Sequence, residues 1–112
     1  MHEYSIVQAL YDRVAAEAAA RGARAVHAVR IRLGELSGVD PGLLDTAWRT
    51  FRERTLCESA DVQIETVRAE WECDRCRAPI RAGAILVCPA CGSSARLRAG
   101  DEIVLDRIEM EV

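Results

Sequence analysis

Four cysteines carry the residue types and the spacing that could do chemistry in this chain. Cys73 and Cys76 make one Cys-x-x-Cys pair, Cys88 and Cys91 a second, and eleven residues separate the pairs. This is the ligand spacing of a closed, four-thiolate zinc site. Each pair offers two sulfurs from one tight turn, and the intervening loop turns the pairs face to face. Zinc suits such a set because it is redox-inert and takes four thiolates tetrahedrally at about 2.3 Å. In the second turn Pro89 presets φ, and Gly92 can adopt the left-handed conformation that aims backbone N–H groups at sulfur. Arg77 holds the matching place in the first turn, where a left-handed residue with a side chain costs roughly 1–2 kcal/mol. Four protein ligands leave no open coordination position, so the site reads as structural and not catalytic. The rival readings need other features. A disulfide framework calls for an export signal, and none is expected ahead of Met1-His2-Glu3. A redox Cys-x-x-Cys sits singly at a helix N-terminus after a strand, not as two facing pairs.

A second candidate lies at the N-terminus. The amine of Met1, the imidazole of His2 and the neighbouring backbone nitrogens can close fused chelate rings around one ion. Four nitrogens in a plane suit Ni²⁺ or Cu²⁺, not Zn²⁺. The bulky His2 should leave Met1 in place, since methionine aminopeptidase needs a small second residue. Free amine and imidazole titrate near roughly 7.8 and 6.5, so protons should compete with a metal below about pH 7. On these residues alone, a solvated terminal histidine is the commoner explanation.

The elements that must position these groups can be read from pattern. At 112 residues, half of them hydrophobic, the chain makes one domain, or one with a small appendage. No apolar run reaches the length of a membrane span. A net charge of −3 argues against general nucleic-acid affinity. All fifteen basic residues are Arg, which reads as genome composition and not as a functional signal. Five cysteines without an export signal place the chain in the cytoplasm. The fifth, Cys57, reads as a small buried hydrophobe.

In chain order, Ser5 with Gln8 predicts a capping box. Val7, Leu10, Tyr11, Val14 and Ala18 then predict an amphipathic helix over 5–21, ended by Gly22. Met1, His2 and Glu3 would be a free arm at its start. Val29, Ile31 and Leu33 alternate with Arg30 and Arg32, a strand with one exposed face. Asp40 as N-cap and Pro41 at N1 open a second helix, striped by Leu44, Ala47, Trp48 and Phe51 and ending near Thr55. Residues 60–69 predict a strand with Val62 and Ile64 inward and an end or bulge at Val67. Residues 101–112 predict the last strand. The cysteine segment leaves one strand and returns into the next. It is too small to hold itself by a core, so metal binding would have to fold it.

The arginines of that segment could contact nucleic acid. Arg75, Arg77, Arg81, Arg96 and Arg98 are, however, largely offset by Glu72, Asp74 and the negative zinc–thiolate group. That is a poor footprint for phosphate binding, and a protein-facing or simply solvated cluster serves as well.

Several stretches taken together resemble the HypA family. They are Met1-His2-Glu3 with Ser5, the run Val29-Arg-Ile-Arg-Leu-Gly-Glu-Leu-Ser-Gly-Val39, the two cysteine pairs with Pro89 and Gly92, and Gly100-Asp101-Glu102. The resemblance covers nearly the whole chain in order. It implies a nickel metallochaperone for maturation of nickel–iron hydrogenases. Nickel would be the cargo, held at Met1, His2 and Glu3, and structural zinc would be held by Cys73, Cys76, Cys88 and Cys91. It implies a HypB-type GTPase as partner and the hydrogenase large subunit as recipient. The loop between the pairs is about a residue short for the family, Arg77 replaces a common Gly, and no histidine flanks the cysteines. His27, at a strand start, reads as structural or solvated.

The expectation is thus an α+β protein: two helices on a three-stranded antiparallel sheet, with a zinc-ribbon insertion before the last strand. Residues 1–70 with 100–112 would form the nickel-binding domain and 71–99 the zinc ribbon. It would be a carrier and not an enzyme, a monomer or weak homodimer, with no nucleic acid or membrane partner. The alternative is a zinc-ribbon interaction module for protein or nucleic acid.

Overall fold

The computed structural model describes residues 2–81 and 86–112, without the side chain of His2. The first half is built as α1 (His2–Ala20), β1 (Ala25–Gly34), α2 (Pro41–Phe51) and β2 (Asp61–Val67). Three short strands follow, β3 (Glu70–Cys73), β4 (Pro79–Ile80) and β5 (Ala95–Ala99), and β6 (Ile103–Glu111) closes the chain. The strands form two sheets, ordered β2-β1-β6 and β4-β3-β5.

The first sheet carries the helices. Its core is Val7, Val14 and Ala18 of α1, Val26, Val29, Ile31 and Leu33 of β1, and Leu44 and Trp48 of α2, all buried. β1 lies in the middle, so its inward row is covered fully while Arg30 and Arg32 face out. There they meet Glu65 of β2 and Asp106 of β6 in a cross-strand ladder of ion pairs. Asp106 stands in a bulge: Arg30 pairs with Arg107 and Ile31 with Leu105, so one residue of β6 has no partner. The bulge keeps Ile103, Leu105, Ile108 and Met110 on the core side despite their uneven spacing.

The antiparallel expectation holds for one pair only. β6 runs antiparallel to β1, but β2 runs parallel to it, so the sheet is mixed. The reason lies in the connection. β1, α2 and β2 make a strand–helix–strand crossover, and a crossover over one face returns the chain in its original direction.

Two helix boundaries differ from the sequence reading. Asp40 caps α2 as expected, its Oδ1 accepting from the Leu43 amide at 3.0 Å. The helix ends at Phe51 rather than near Thr55, because Arg54 takes a φ of +61° and the chain turns there. α1 starts at His2 rather than after Ser5. His2 and Glu3 are therefore helical and not a free arm. The extension is held by packing: Tyr4 sets its ring edge-on against Phe51, centroids 5.5 Å apart, and Tyr11 flanks the same ring at 5.4 Å. Gly22 ends α1 as expected, with φ +64° and the Ala23 amide donating back to the Ala18 carbonyl at 2.9 Å. Strand β2 ends at Val67, where its alternation breaks.

Candidate metal centre

The second sheet exists to present cysteines. β3 ends on Cys73, and the chain then turns twice in the same way. In the first turn the Cys73 amide donates to the Ala78 carbonyl at 2.8 Å and the Arg77 amide to the Cys73 carbonyl at 3.0 Å. In the second the Cys88 amide donates to the Ser93 carbonyl at 2.8 Å and the Gly92 amide to the Cys88 carbonyl at 2.9 Å. Arg77 and Gly92 both take left-handed backbone, φ +62° and +76°. The strain foreseen at Arg77 is therefore present.

The turns bring all four sulfurs together within 4.8 Å of one another. Cys73 and Cys91 Sγ are 3.4 Å apart, Cys76 and Cys88 3.6 Å, and Cys76 and Cys91 3.9 Å. Four sulfurs at about 2.3 Å from one ion would stand about 3.8 Å apart, so the cluster has the size of a zinc tetrahedron. The separations are far beyond the roughly 2.05 Å of a disulfide, and the thiols are free.

Backbone dipoles prepare the sulfurs for a cation. The Cys76 and Arg75 amides both point at Cys73 Sγ, each at 3.4 Å. With the Cys76 amide contributing most, they lower the Cys73 thiol below its ordinary range. Cys88 is lowered in the same way, first by the Cys91 amide and then by that of Ala90. For Cys76 the Ala78 amide pulls downward, but the facing sulfurs of Cys73 and Cys88 and burial outweigh it and push the thiol up to about 11. Backbone amides thus favour the thiolate at Cys73 and Cys88, while the facing sulfurs and burial favour the thiol at Cys76. A divalent cation would resolve the crowding by replacing the thiol protons.

Cys73 and Cys88 are buried, whereas Cys76 and Cys91 face solvent. Ile80, Trp71 and Ala95 pack beneath the buried pair, a core of few side chains among the described residues. Cysteine spacing could not reveal these supports. Nor could it reveal that Glu72 receives both Nε and Nη2 of Arg96, at 2.9 and 2.6 Å, which pins β3 to β5. Glu72 also lies 4.0 Å from Arg77, and Arg98 pairs with Glu70, so three of the segment's arginines are engaged within the cysteine sheet.

The other singled-out residues are scattered. Met1 and the side chain of His2 lie outside the described residues. Glu3 lines a cleft of about 300 Å³ with Tyr4, Leu43, Thr46, Ala47 and Thr50, between the start of α1 and α2. His27 Nε2 meets Glu111 Oε1 at 3.1 Å on an exposed part of the sheet, in line with a solvated residue. Cys57 is fully buried, and burial pushes its thiol up to about 11. That is the behaviour of a core residue and not of a ligand. None of the helices among the described residues is long and apolar enough to cross a membrane.

This fold and cluster have known counterparts. Residues 1–110 match the family described as hydrogenase/urease nickel incorporation, metallochaperone, hypA. The chain belongs to the HypA family. A hydrogenase maturation factor HypA from Shewanella baltica (strain OS223) is 38% identical over 113 residues, covering 99% of this chain and 97% of that one. The HypA of Aquifex aeolicus (strain VF5) is 35% identical over 114 residues, covering 100% of this chain and 99% of its own. Among solved structures, the nickel metallochaperone HypA of Helicobacter pylori is 32% identical, with a TM-score of 0.74 over 97% of each chain. A second HypA solution structure, also 32% identical, gives a TM-score of 0.81 over 98% of this chain and 96% of that one. This is accordingly a member of a nickel metallochaperone family with a four-cysteine cluster that can hold structural zinc.

Proposed function

We propose that the chain is a nickel carrier and not an enzyme. It would bind Ni²⁺ through Met1, His2 and Glu3 and hold structural Zn²⁺ through Cys73, Cys76, Cys88 and Cys91. With a HypB-type GTPase it would deliver nickel to the large subunit of nickel–iron hydrogenase in the cytoplasm. Its expected state is a monomer or weak homodimer, with the helix-bearing sheet as nickel-binding unit and the cysteine sheet as zinc unit. The observation that carries this reading is the family match, which begins at residue 1 and so takes in Met1, His2 and Glu3.

The start of α1 supports the nickel assignment chemically. The first four amides of a helix have no intrahelical acceptor. The His2 and Glu3 nitrogens are therefore uncommitted to the helix and can serve as ligands beside the Met1 amine and the His2 imidazole. The same position tempers affinity, because the positive end of the helix dipole opposes a cation. A carrier needs that compromise, since it must let its cargo go. Zinc would act differently. Its four thiolates are all from the protein, and its role would be to hold a sheet whose described residues form only a small core.

Replacing His2 by Ala tests the reading. Nickel binding measured by calorimetry should be lost while zinc content and far-UV circular dichroism stay at parent values. Retained nickel affinity in that variant would put the ion elsewhere and sink the assignment.

A further inference from the structure

The run from Leu33 to Val39 contributes neither a cysteine nor a terminal ligand, yet the structure gives it a specific place. Only two stretches of chain join the cysteine sheet to the helix-bearing sheet: Arg68-Ala69, leading into β3, and Gly100-Asp101-Glu102, leading out of β5. The end of β1 grips both. The Gly34 amide donates to the Glu102 carbonyl at 2.8 Å, and the Leu36 amide to the Gly100 carbonyl at 2.7 Å. Glu35 holds the other stretch: its amide donates to the Val67 carbonyl at 2.8 Å, and its Oε1 accepts from the Ala69 amide at 3.3 Å.

The crossing is packed so closely that side chains are excluded. A Cβ on Gly34 would stand 2.3 Å from the Gly100 carbonyl oxygen. A Cβ on Gly100, whose φ is +108°, would stand 2.5 Å from the Ala69 Cα. Three backbones thus stack in the order Gly34, Gly100, Ala69. From this stack the β3–β5 ladder runs directly to the metal cluster: Glu70 pairs with Ala99, and at its far end Cys73 pairs with Ala95.

We infer that Gly34, Glu35 and Gly100 form a clasp through which the metal state of the cysteine cluster is communicated to the helix-bearing sheet. The inference rests on the four cysteines being the zinc ligands. The physical argument is one of missing alternatives. Among its described residues the cysteine sheet buries too little to keep its ladder once the ion is gone. Its loss frees the Glu70–Ala99 pair, and the Gly100 carbonyl and Ala69 amide then lose the register that holds them against β1. The middle of β1 is bonded to β2 and β6 on both sides and has no such dependence. The disturbance should therefore stop at the clasp, changing the end of β1 and leaving its centre intact.

Amide hydrogen exchange on the full chain tests this, zinc-loaded against chelator-stripped under reducing conditions. Stripping should speed exchange at Gly34, Leu36 and Ala69 by about tenfold or more, with Val29 and Ile31 little changed. Gly100→Ala, still holding one zinc, should exchange at Leu36 as fast as the stripped parent. Should Gly100→Ala fail to fold, Glu35→Ala removes only the bond to Ala69 and should speed that amide alone in the loaded protein. Equal exchange at Leu36 and Ala69 in loaded and stripped parent would overturn the clasp. So would loss of protection through all of β1, which would make zinc a stabiliser of the whole chain. A zinc count unaltered by Cys73→Ser would instead overturn the ligand assignment on which the clasp rests, and unequal exchange in loaded and stripped parent would not rescue it.

Discussion

Arg77 and Gly92 occupy the same position in two copies of one turn, both with left-handed backbone and both donating an amide to the carbonyl of the first cysteine of their pair. Only one of them is a glycine. The equivalence makes Arg77 a built-in strain. Arg77→Gly should stabilise the loaded cysteine sheet by about 1 kcal/mol, the relief of strain exceeding the added freedom of the unfolded chain. A slower release of zinc to a competing chelator would register it. Gly92→Ala should shift the same measurement the other way.

Cys73→Ser should abolish zinc binding and unfold β3, β4 and β5 while sparing α1 and α2. Among the described residues the two hydrophobic clusters share no residue, and the smaller contains only Cys73, Ile80 and Cys88 with Trp71 and Ala95 against it. Helical circular dichroism close to the parent's, with the loss of β-sheet amide protection confined to residues 70–99 and the clasp amides of Gly34, Leu36 and Ala69, is the expected pattern.

Cys57 sets a limit on alkaline stability. Its folded thiol lies near 11 against an ordinary 9.0, raised by burial. A raised folded value means the neutral thiol is favoured in the native state. The contribution is complete below about 9 and is lost as pH rises from 9 toward 11. Denaturant midpoints should fall across that interval, and Cys57→Ala should flatten the fall while lowering stability at neutral pH. At pH 8 the folded, zinc-stripped chain should be alkylated at Cys73, Cys76, Cys88 and Cys91 well before Cys57.

Trp48 and Arg52 share one acceptor. Trp48 Nε1 and Arg52 Nη1 both donate to the Ala60 carbonyl at 2.8 Å. Either donor can satisfy the buried oxygen, so each loss should be partly covered by the other. Trp48→Phe should cost about 1–2 kcal/mol, and combining it with Arg52→Ala should cost about 1 kcal/mol more than the sum of the single changes. Chemical denaturation of the four chains of this cycle decides it.

These relationships differ in how far the sequence discloses them. The cysteine cluster was legible because thiolate spacing is local and zinc geometry is strict. α2 was legible at its start because Asp40 and Pro41 act within one turn. β1 was legible because Val29, Ile31 and Leu33 alternate cleanly. What escaped was set by tertiary contact. The Ser5-x-x-Gln8 pattern marks a helix start, but Tyr4 on Phe51 carries the helix back to His2. Strand direction is absent from an alternation pattern; the helix between β1 and β2 held the information that they run parallel. Glycines at 34 and 100 can be seen in a sequence, but not that Gly100 excludes a side chain at Gly34 and Ala69 excludes one at Gly100.

The central claim is that nickel binds at the amine of Met1 and at His2. It is tested most directly by calorimetric nickel titration of two chains, the parent and one carrying a single extra Gly before Met1. The extension keeps every side chain and moves the amine away from the His2 imidazole. Tight binding in the parent and its loss in the extended chain is the predicted result. Equal binding in both would contradict the account, placing nickel elsewhere and leaving the cysteine sheet as an interaction module.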